Sequence, residues 1–254
     1  MGTSSETVIL DAINSGGNGS STSETVNITG DIGNANEILT VTVEARDGLT
    51  LTGGGSGITI DTADAANPNI ALNVTNGGDV IISGTVTVTS NNTTNDGTLN
   101  IGGPIEGAGG TDNLTLQSGT GTLTLSGVIG QDTALDGLDI NTETGTANIS
   151  ISGIGDSTGG SENAGAGIVN IGNASTGNMT FSGAFYRTDG AITVTTGAGA
   201  GAIDFTGANP TVTTSQDAVE FVGGDILLAD GANLTIQTNF GNPGSSNGGN
   251  IIVA

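Results

Sequence analysis

Hydrophobic and polar residues alternate along this chain in short bursts, and each burst closes on a glycine. The order apolar, polar, apolar, small, glycine recurs nine times, from Val26-Asn27-Ile28-Thr29-Gly30 through Leu123-Thr124-Leu125-Ser126-Gly127 to Val219-Glu220-Phe221-Val222-Gly223. Alternation with a period of two is the signature of a β-strand with one buried face, and glycine lets the chain turn afterwards. The copies end at Gly30, Gly53, Gly84, Gly103, Gly127, Gly153, Gly183, Gly207 and Gly223, with spacings from 16 to 31 residues. A spacing of about 24 residues lies in the range of stacked solenoids, whose units bury their apolar side chains only against neighbouring units.

Aligning the copies predicts two interior columns. One holds Ile28, Leu51, Ile82, Ile101, Leu125, Ile151, Phe181, Phe205 and Phe221; the other holds Val26, Leu49, Val80, Leu99, Leu123, Ile149, Met179, Ile203 and Val219. The residue between them is polar in every copy except that of Ile81. The three phenylalanines are expected to point inward along one column. Further strands are predicted at Thr85–Thr89, Leu138–Asn141 and Ala191–Thr195, giving two or three strands per rung. The pairs Asp47-Gly48, Asp96-Gly97, Asp136-Gly137, Asp189-Gly190 and Asp230-Gly231 mark corners, where Asp and Gly tolerate unusual φ values.

The expected fold is therefore all-β, a single parallel β-helix of nine to eleven rungs with little or no helix. An irregular N-terminal strand region, 1–20, precedes repeats over 21–254. No three-and-four apolar spacing persists over several turns, and β-branched residues and glycine dominate. Both ends look uncapped: Val8, Ile9 and Leu10 open the chain and Ile251, Ile252 and Val253 close it without an amphipathic helix. These six residues are the expected self-association contacts, of a segment excised from a longer chain or of a subunit that meets another.

Composition changes the picture mainly by exclusion. The 254 residues include 47 glycines and only 4 prolines, a balance suited to short strands and tight turns. With 25 acidic residues against two arginines, the formal charge is −23, which repels nucleic acid and anionic membrane surfaces. The absence of cysteine rules out disulfides and thiolate metal sites. No basic start with an apolar core marks a signal peptide, and no apolar run approaches a membrane helix. Export, and with it an extracellular or cell-surface location, requires a targeting region that is not in this chain.

The run Asn113-Leu114-Thr115-Leu116-Gln117-Ser118-Gly119-Thr120-Gly121-Thr122-Leu123-Thr124-Leu125-Ser126-Gly127-Val128-Ile129-Gly130, followed by Leu135-Asp136-Gly137-Leu138-Asp139-Ile140, resembles the strand repeats of large bacterial surface proteins. Filamentous-haemagglutinin-like adhesins and autotransporter passenger regions are of this kind. The resemblance covers nearly the whole chain and is one of low-complexity style. It implies a right-handed parallel β-helix at the cell surface, with an adhesive or filament-forming role and a glycan or host-surface receptor as a partner.

Candidate chemistry is sparse. Without histidine, lysine or cysteine, the usual bases and nucleophiles are missing, so the chain is expected not to be an enzyme. Only carboxylates remain for a glycan-acting site, and Asp136 with Asp139 is the pair they offer. No cofactor is required, although calcium is an option: Asp139, Asn141 and Glu143 alternate along one strand and project oxygen ligands from one face. Asp61 with Asp64 and Asp132 with Asp136 are looser pairs. Threonine pairs such as Thr40/Thr42, Thr50/Thr52, Thr122/Thr124 and Thr193/Thr195 resemble an ice-binding face, but strand propensity is the better explanation, since rung lengths from 16 to 31 spoil a regular lattice unless all variation sits in loops elsewhere. The favoured function is a structural or adhesive segment that associates end to end into fibres. A cation-binding acidic module is the alternative.

Overall fold

The computed structural model describes residues 6–12, 24–33, 38–62, 68–91, 96–142, 146–156, 165–197, 201–239 and 248–254. These residues contain strands and no helix, and every strand pairing is parallel. The chain is a β-solenoid in which each turn visits three faces in a fixed order.

Face 1 is a sheet of nine strands: Thr7–Ala12, Thr40–Ala45, Asn69–Val74, Thr98–Gly102, Leu123–Leu125, Ile149–Ile151, Met179–Phe181, Ala202–Phe205 and Asp225–Leu228. Its first and last strands belong to the end turns, and seven turns lie between them. Face 2 starts from Thr25–Ile28 and the leading parts of Gly48–Asp61 and Val80–Thr89, then continues through Ile105–Gly107. It thins to single bridging residues at Ile129 and Ile154 before widening to Phe185–Thr188, Thr211–Thr214 and Thr235–Gln237. Face 3 runs from Ile32 and the trailing parts of the two long strands through Asn113–Gln117, Leu135–Asn141, Ala166–Gly172, Ile192–Thr195, Val219–Val222 and Ile251–Val253.

The predicted interior columns are buried throughout turns 2 to 8, but they do not form one ladder. The copies ending at Gly30, Gly53 and Gly84 lie on face 2, those ending at Gly103, Gly127, Gly153, Gly183 and Gly207 on face 1, and that ending at Gly223 on face 3. A corner is compatible with an inward-alternating strand followed by a residue without a side chain on any face, so the same pentapeptide occurs on all three. This resolves the uneven spacing. The short intervals before Gly103 and Gly223 are part-turns between faces, whereas register partners on face 1 are 33 residues apart at Val8↔Val41 and 23 at Ile203↔Ile226.

Phe221 is therefore not the continuation of the Phe181–Phe205 column. Phe181 and Phe205 are register partners on face 1, their rings stacked with centroids 5.0 Å apart. Phe221 reaches the edge of the Phe205 ring from face 3, at 6.0 Å, and Tyr186 packs against both face 1 rings from face 2. All four are buried, as the inward phase predicts, and they close the interior from three sides. Aromatic pairs in these geometries add about 0.5–1.5 kcal/mol each beyond their burial. Tyr186 also accepts the Gly183 N–H at its hydroxyl, 2.8 Å away, so its polar tip serves the corner after face 1.

Face 3 carries a second pattern. Its strands end in an inward hydroxyl: Ile58-Thr59-Ile60-Asp61-Thr62, Val86-Thr87-Val88-Thr89-Ser90, Leu114-Thr115-Leu116-Gln117-Ser118, Leu138-Asp139-Ile140-Asn141-Thr142 and Ile192-Thr193-Val194-Thr195-Thr196. Thr62, Ser90, Ser118, Thr142 and Thr196 are all buried, stacked at the corner that leads back to face 1. Ser90 donates to the Gly97 carbonyl at 2.8 Å, and the Thr142 hydroxyl meets that of Thr176 at 2.9 Å. At Ser90 and at Thr196, whose hydroxyl accepts the Gly224 N–H at 2.6 Å, the small side chain reaches backbone groups that leave the ladder as the chain bends.

Candidate functional site

Three parts of the molecule carry exposed chemistry: the corners, the two end turns and a cleft on face 2.

At the corners, side chains accept backbone N–H groups from the neighbouring turn. Asp47 takes the Glu24 N–H on one oxygen and the Asn76 amide on the other, both at 2.9 Å. Asp112 takes the Gly84 N–H, and Asp136 the Asp112 N–H, each at 2.8 Å. Asp96 receives Thr120, and Asn148 and Asn178 receive Asn178 and Ala202 in turn. Asp47, Asp96 and Asp136 thus hold turns together as corner residues. Of the five Asp-Gly glycines only Gly231 has a positive φ, while Gly97 and Gly190 are there for space against backbone of the neighbouring turn. A Cβ at Gly97 would lie 2.0 Å from the Pro68 carbonyl oxygen.

Glu106 and Asp112 are the most enclosed of these staples. The Glu106 carboxylate receives the N–H groups of Gln131, Asp132 and Thr133 at 3.0, 3.0 and 2.7 Å. Burial pushes it above the ordinary carboxylate range, against the opposing effect of those three donors, and Asp79 adds a repulsive charge. Asp61 and Asp79 are also raised, chiefly by burial, while Asp47 is lowered, first by the Glu24 N–H. Sequence reasoning missed Glu106 because its role depends on a loop one turn away.

Asp139 and Asn141 share the outer side of face 3 and hydrogen-bond to each other at 3.2 Å. Glu143 lies outside the described residues, as does Asp64. Among the described residues no group of three or more Asp and Glu side chains is placed to hold a metal ion. Asp136 is a corner acceptor and Asp139 an outward strand residue, in the positions their sequence context predicts. The threonine pairs fall on different faces: Thr40/Thr42 and Thr122/Thr124 with face 1, Thr50/Thr52 with face 2, Thr193/Thr195 with face 3.

The end turns expose apolar side chains of both phases. In Thr7–Ala12, Val8 and Leu10 are half-buried and inward, whereas Ile9 points outward and is 65% exposed. At the other end, Ile251 and Val253 pair with the core residues Val219 and Phe221, and Ile252 pairs with the outward Glu220. Ile251 and Val253 extend interior columns and are 52% and 65% exposed, with no described turn beyond them. Leu228, in register with Phe205, is likewise exposed.

The cleft lies on face 2 where the ladder thins. Turns there pair only through Ile129 and Ile154, and the residues flanking those bridges are Val128, Gly130, Gly153 and Gly155. Gly155 has a φ of +75°, and a Cβ on it would sit 3.0 Å from Arg187 Cβ, so the position demands glycine. The missing side chains leave a depression of about 110 Å³ lined by Val128, Gln131, Ser152, Gly153, Gly155, Asp156, Ala184 and Phe185. Phe185 is half-buried, in contrast with Phe181, Phe205 and Phe221. Beside the cleft, burial lowers Arg187 and the nearby Asp156 carboxylate acts in the opposite direction.

No protein-family model, curated protein or solved structure matches this chain.

Proposed function

We propose that this chain is a structural rod segment of a cell-surface or extracellular fibre, lengthened by stacking of its end turns on those of further copies. The carrying observation is that the inward columns run without a break into the first and last described turns, where Val8 and Leu10 are only half-buried and Ile251, Val253 and Leu228 are exposed. Strand edges in the end turns are templates for a further parallel strand. Contact between unlike ends is heterologous and does not close on itself, so it generates filaments. The resemblance to bacterial surface repeats and the charge of −23, which keeps an edge-exposing rod soluble, support the location. Electron microscopy across a protein concentration series tests this reading. Unbranched filaments one solenoid wide are expected to lengthen with concentration; particles that stay single and rod-shaped at every concentration exclude it.

A further inference from the structure

The face 2 cleft is built by departures from the repeat, and end stacking makes no use of it. Two successive turns replace a strand by a single bridging isoleucine, and glycines stand where outward side chains belong. The bridges keep two backbone hydrogen bonds on each side, and close packing of the turns explains Gly130 and Gly155, but neither accounts for the open depression outside them. Within the depression the lining divides into an apolar side, Val128, Ala184 and Phe185, and polar groups at Gln131, Ser152 and Asp156. In a chain with 2% aromatic residues, whose other described aromatics are buried in the core, a phenylalanine only half-buried beside glycine backbone is a specific surface feature.

We propose that this cleft binds one ring of an uncharged carbohydrate. An aromatic face carries negative π-density and attracts the weakly positive C–H face of a pyranose, and Phe185 is the aromatic residue that lines the depression beside Gly153 and Gly155. Asp156 accepts from ring hydroxyls through charge-assisted hydrogen bonds, and Gln131 both donates and accepts. Glu106 orients the polar wall by holding the Gln131 N–H at 3.0 Å, and Ser152 is turned away, donating to the Leu125 carbonyl at 3.0 Å. Selectivity for a neutral ligand follows from the molecule's charge of −23 and from Asp156 itself, which repels uronates and sialylated or phosphorylated sugars. The cleft accommodates a single ring, so affinity is weak for one site and rises with repetition along a fibre.

The test is saturation-transfer NMR on the full chain with glucose, galactose, mannose, fucose and N-acetylglucosamine as separate probes, and glucuronic acid as the charged control. At least one neutral sugar is expected to receive saturation through its ring protons, and the control none. Phe185→Ala, which removes the stacking face, and Asp156→Asn, which removes one charge-assisted contact, are each expected to weaken that binding at least about tenfold. Ala184→Leu, which fills the cleft without removing a polar group, is expected to abolish it; circular dichroism of each variant verifies the fold. The proposal fails if no neutral sugar is saturated by the wild-type chain, if glucuronic acid is saturated equally, or if the signal survives both Phe185→Ala and Ala184→Leu.

Discussion

Gly30 and Gly127 hold the same place in the repeat and meet different surroundings. A Cβ built on Gly30 has nothing within 4 Å, whereas on Gly127 it would lie 2.0 Å from the Gly103 carbonyl oxygen and 2.2 Å from its carbon. Backbone of a packed turn cannot retreat as a flexible side chain can, so Gly127→Ala forces turns apart, and overpacking of this kind costs about 1–3 kcal/mol. Gly30→Ala has no such contact and lessens the freedom of the unfolded chain, which stabilises by up to about 1 kcal/mol. Thermal unfolding followed by circular dichroism is expected to show a lower midpoint for Gly127→Ala, by about 2–4 °C per kcal/mol, and an unchanged or higher one for Gly30→Ala. Equal midpoints would show that close approach of turns at Gly127 does not limit stability. The two glycines look alike in sequence because what separates them is a carbonyl from the preceding turn, 24 residues back.

At the scale of strands and corners, alternation of period two located the buried positions, and the glycine after each strand located corners. What the alternation lacked was the face to which each strand belongs. Strands on all three faces bury aliphatic residues in the same phase, so copies from different faces merge into one apparent column, as Phe221 did with Phe205. Face 3 had its own mark, the inward Thr or Ser closing Ile60-Asp61-Thr62, Leu116-Gln117-Ser118 and Val194-Thr195-Thr196, which distinguishes its corner from the glycine-ended ones. The cleft was not legible, because it arises where Gly153-Ile154-Gly155 replaces a strand, and glycine there looks like one more turn signal. The corner carboxylates also set the response to pH. Glu106, Asp61 and Asp79 are raised by burial, so the folded state binds their protons more tightly than the unfolded chain does. Their contribution is present below the ordinary carboxylate values and is lost as pH rises through the raised ones. Asp47 is lowered and acts oppositely, its contribution disappearing as pH falls below the ordinary aspartate value. The melting temperature is therefore expected to rise as pH falls from neutrality towards the ordinary carboxylate range and to drop again below it. Glu106→Gln keeps one acceptor oxygen, enough for the Asp132 and Thr133 N–H groups, and removes the titration, so it should lower the midpoint at every pH and flatten the upper limb. A rise as steep in that variant as in the wild type would remove Glu106 from the account.

For the whole molecule, the three-face arrangement decides which end residues matter to assembly. Ile251 and Val253 continue the columns of Val219 and Phe221, so a turn stacked beyond them covers both, whereas Ile252 continues the outward column of Glu220 and stays in solvent. An aspartate at an inward site would be buried in the junction without a partner, at a cost of several kcal/mol that one junction cannot absorb. An aspartate at position 252 remains hydrated and adds only one more charge to an acidic surface. Ile251→Asp and Val253→Asp are thus expected to abolish filaments while leaving the middle turns folded, and Ile252→Asp to leave filaments in place. Val8→Asp, at the opposite end, should behave as Ile251→Asp does, because each junction needs both surfaces. Mixing the two variants tests polarity. Each retains one competent end, so the mixture is expected to yield dimers joined through the unaltered ends and nothing longer, by sedimentation velocity. Rising salt should favour wild-type assembly, since it screens the repulsion between subunits of charge −23. Filaments from Ile251→Asp indistinguishable from those of the wild type would mean that the molecules join side to side, through a face and not through their end turns.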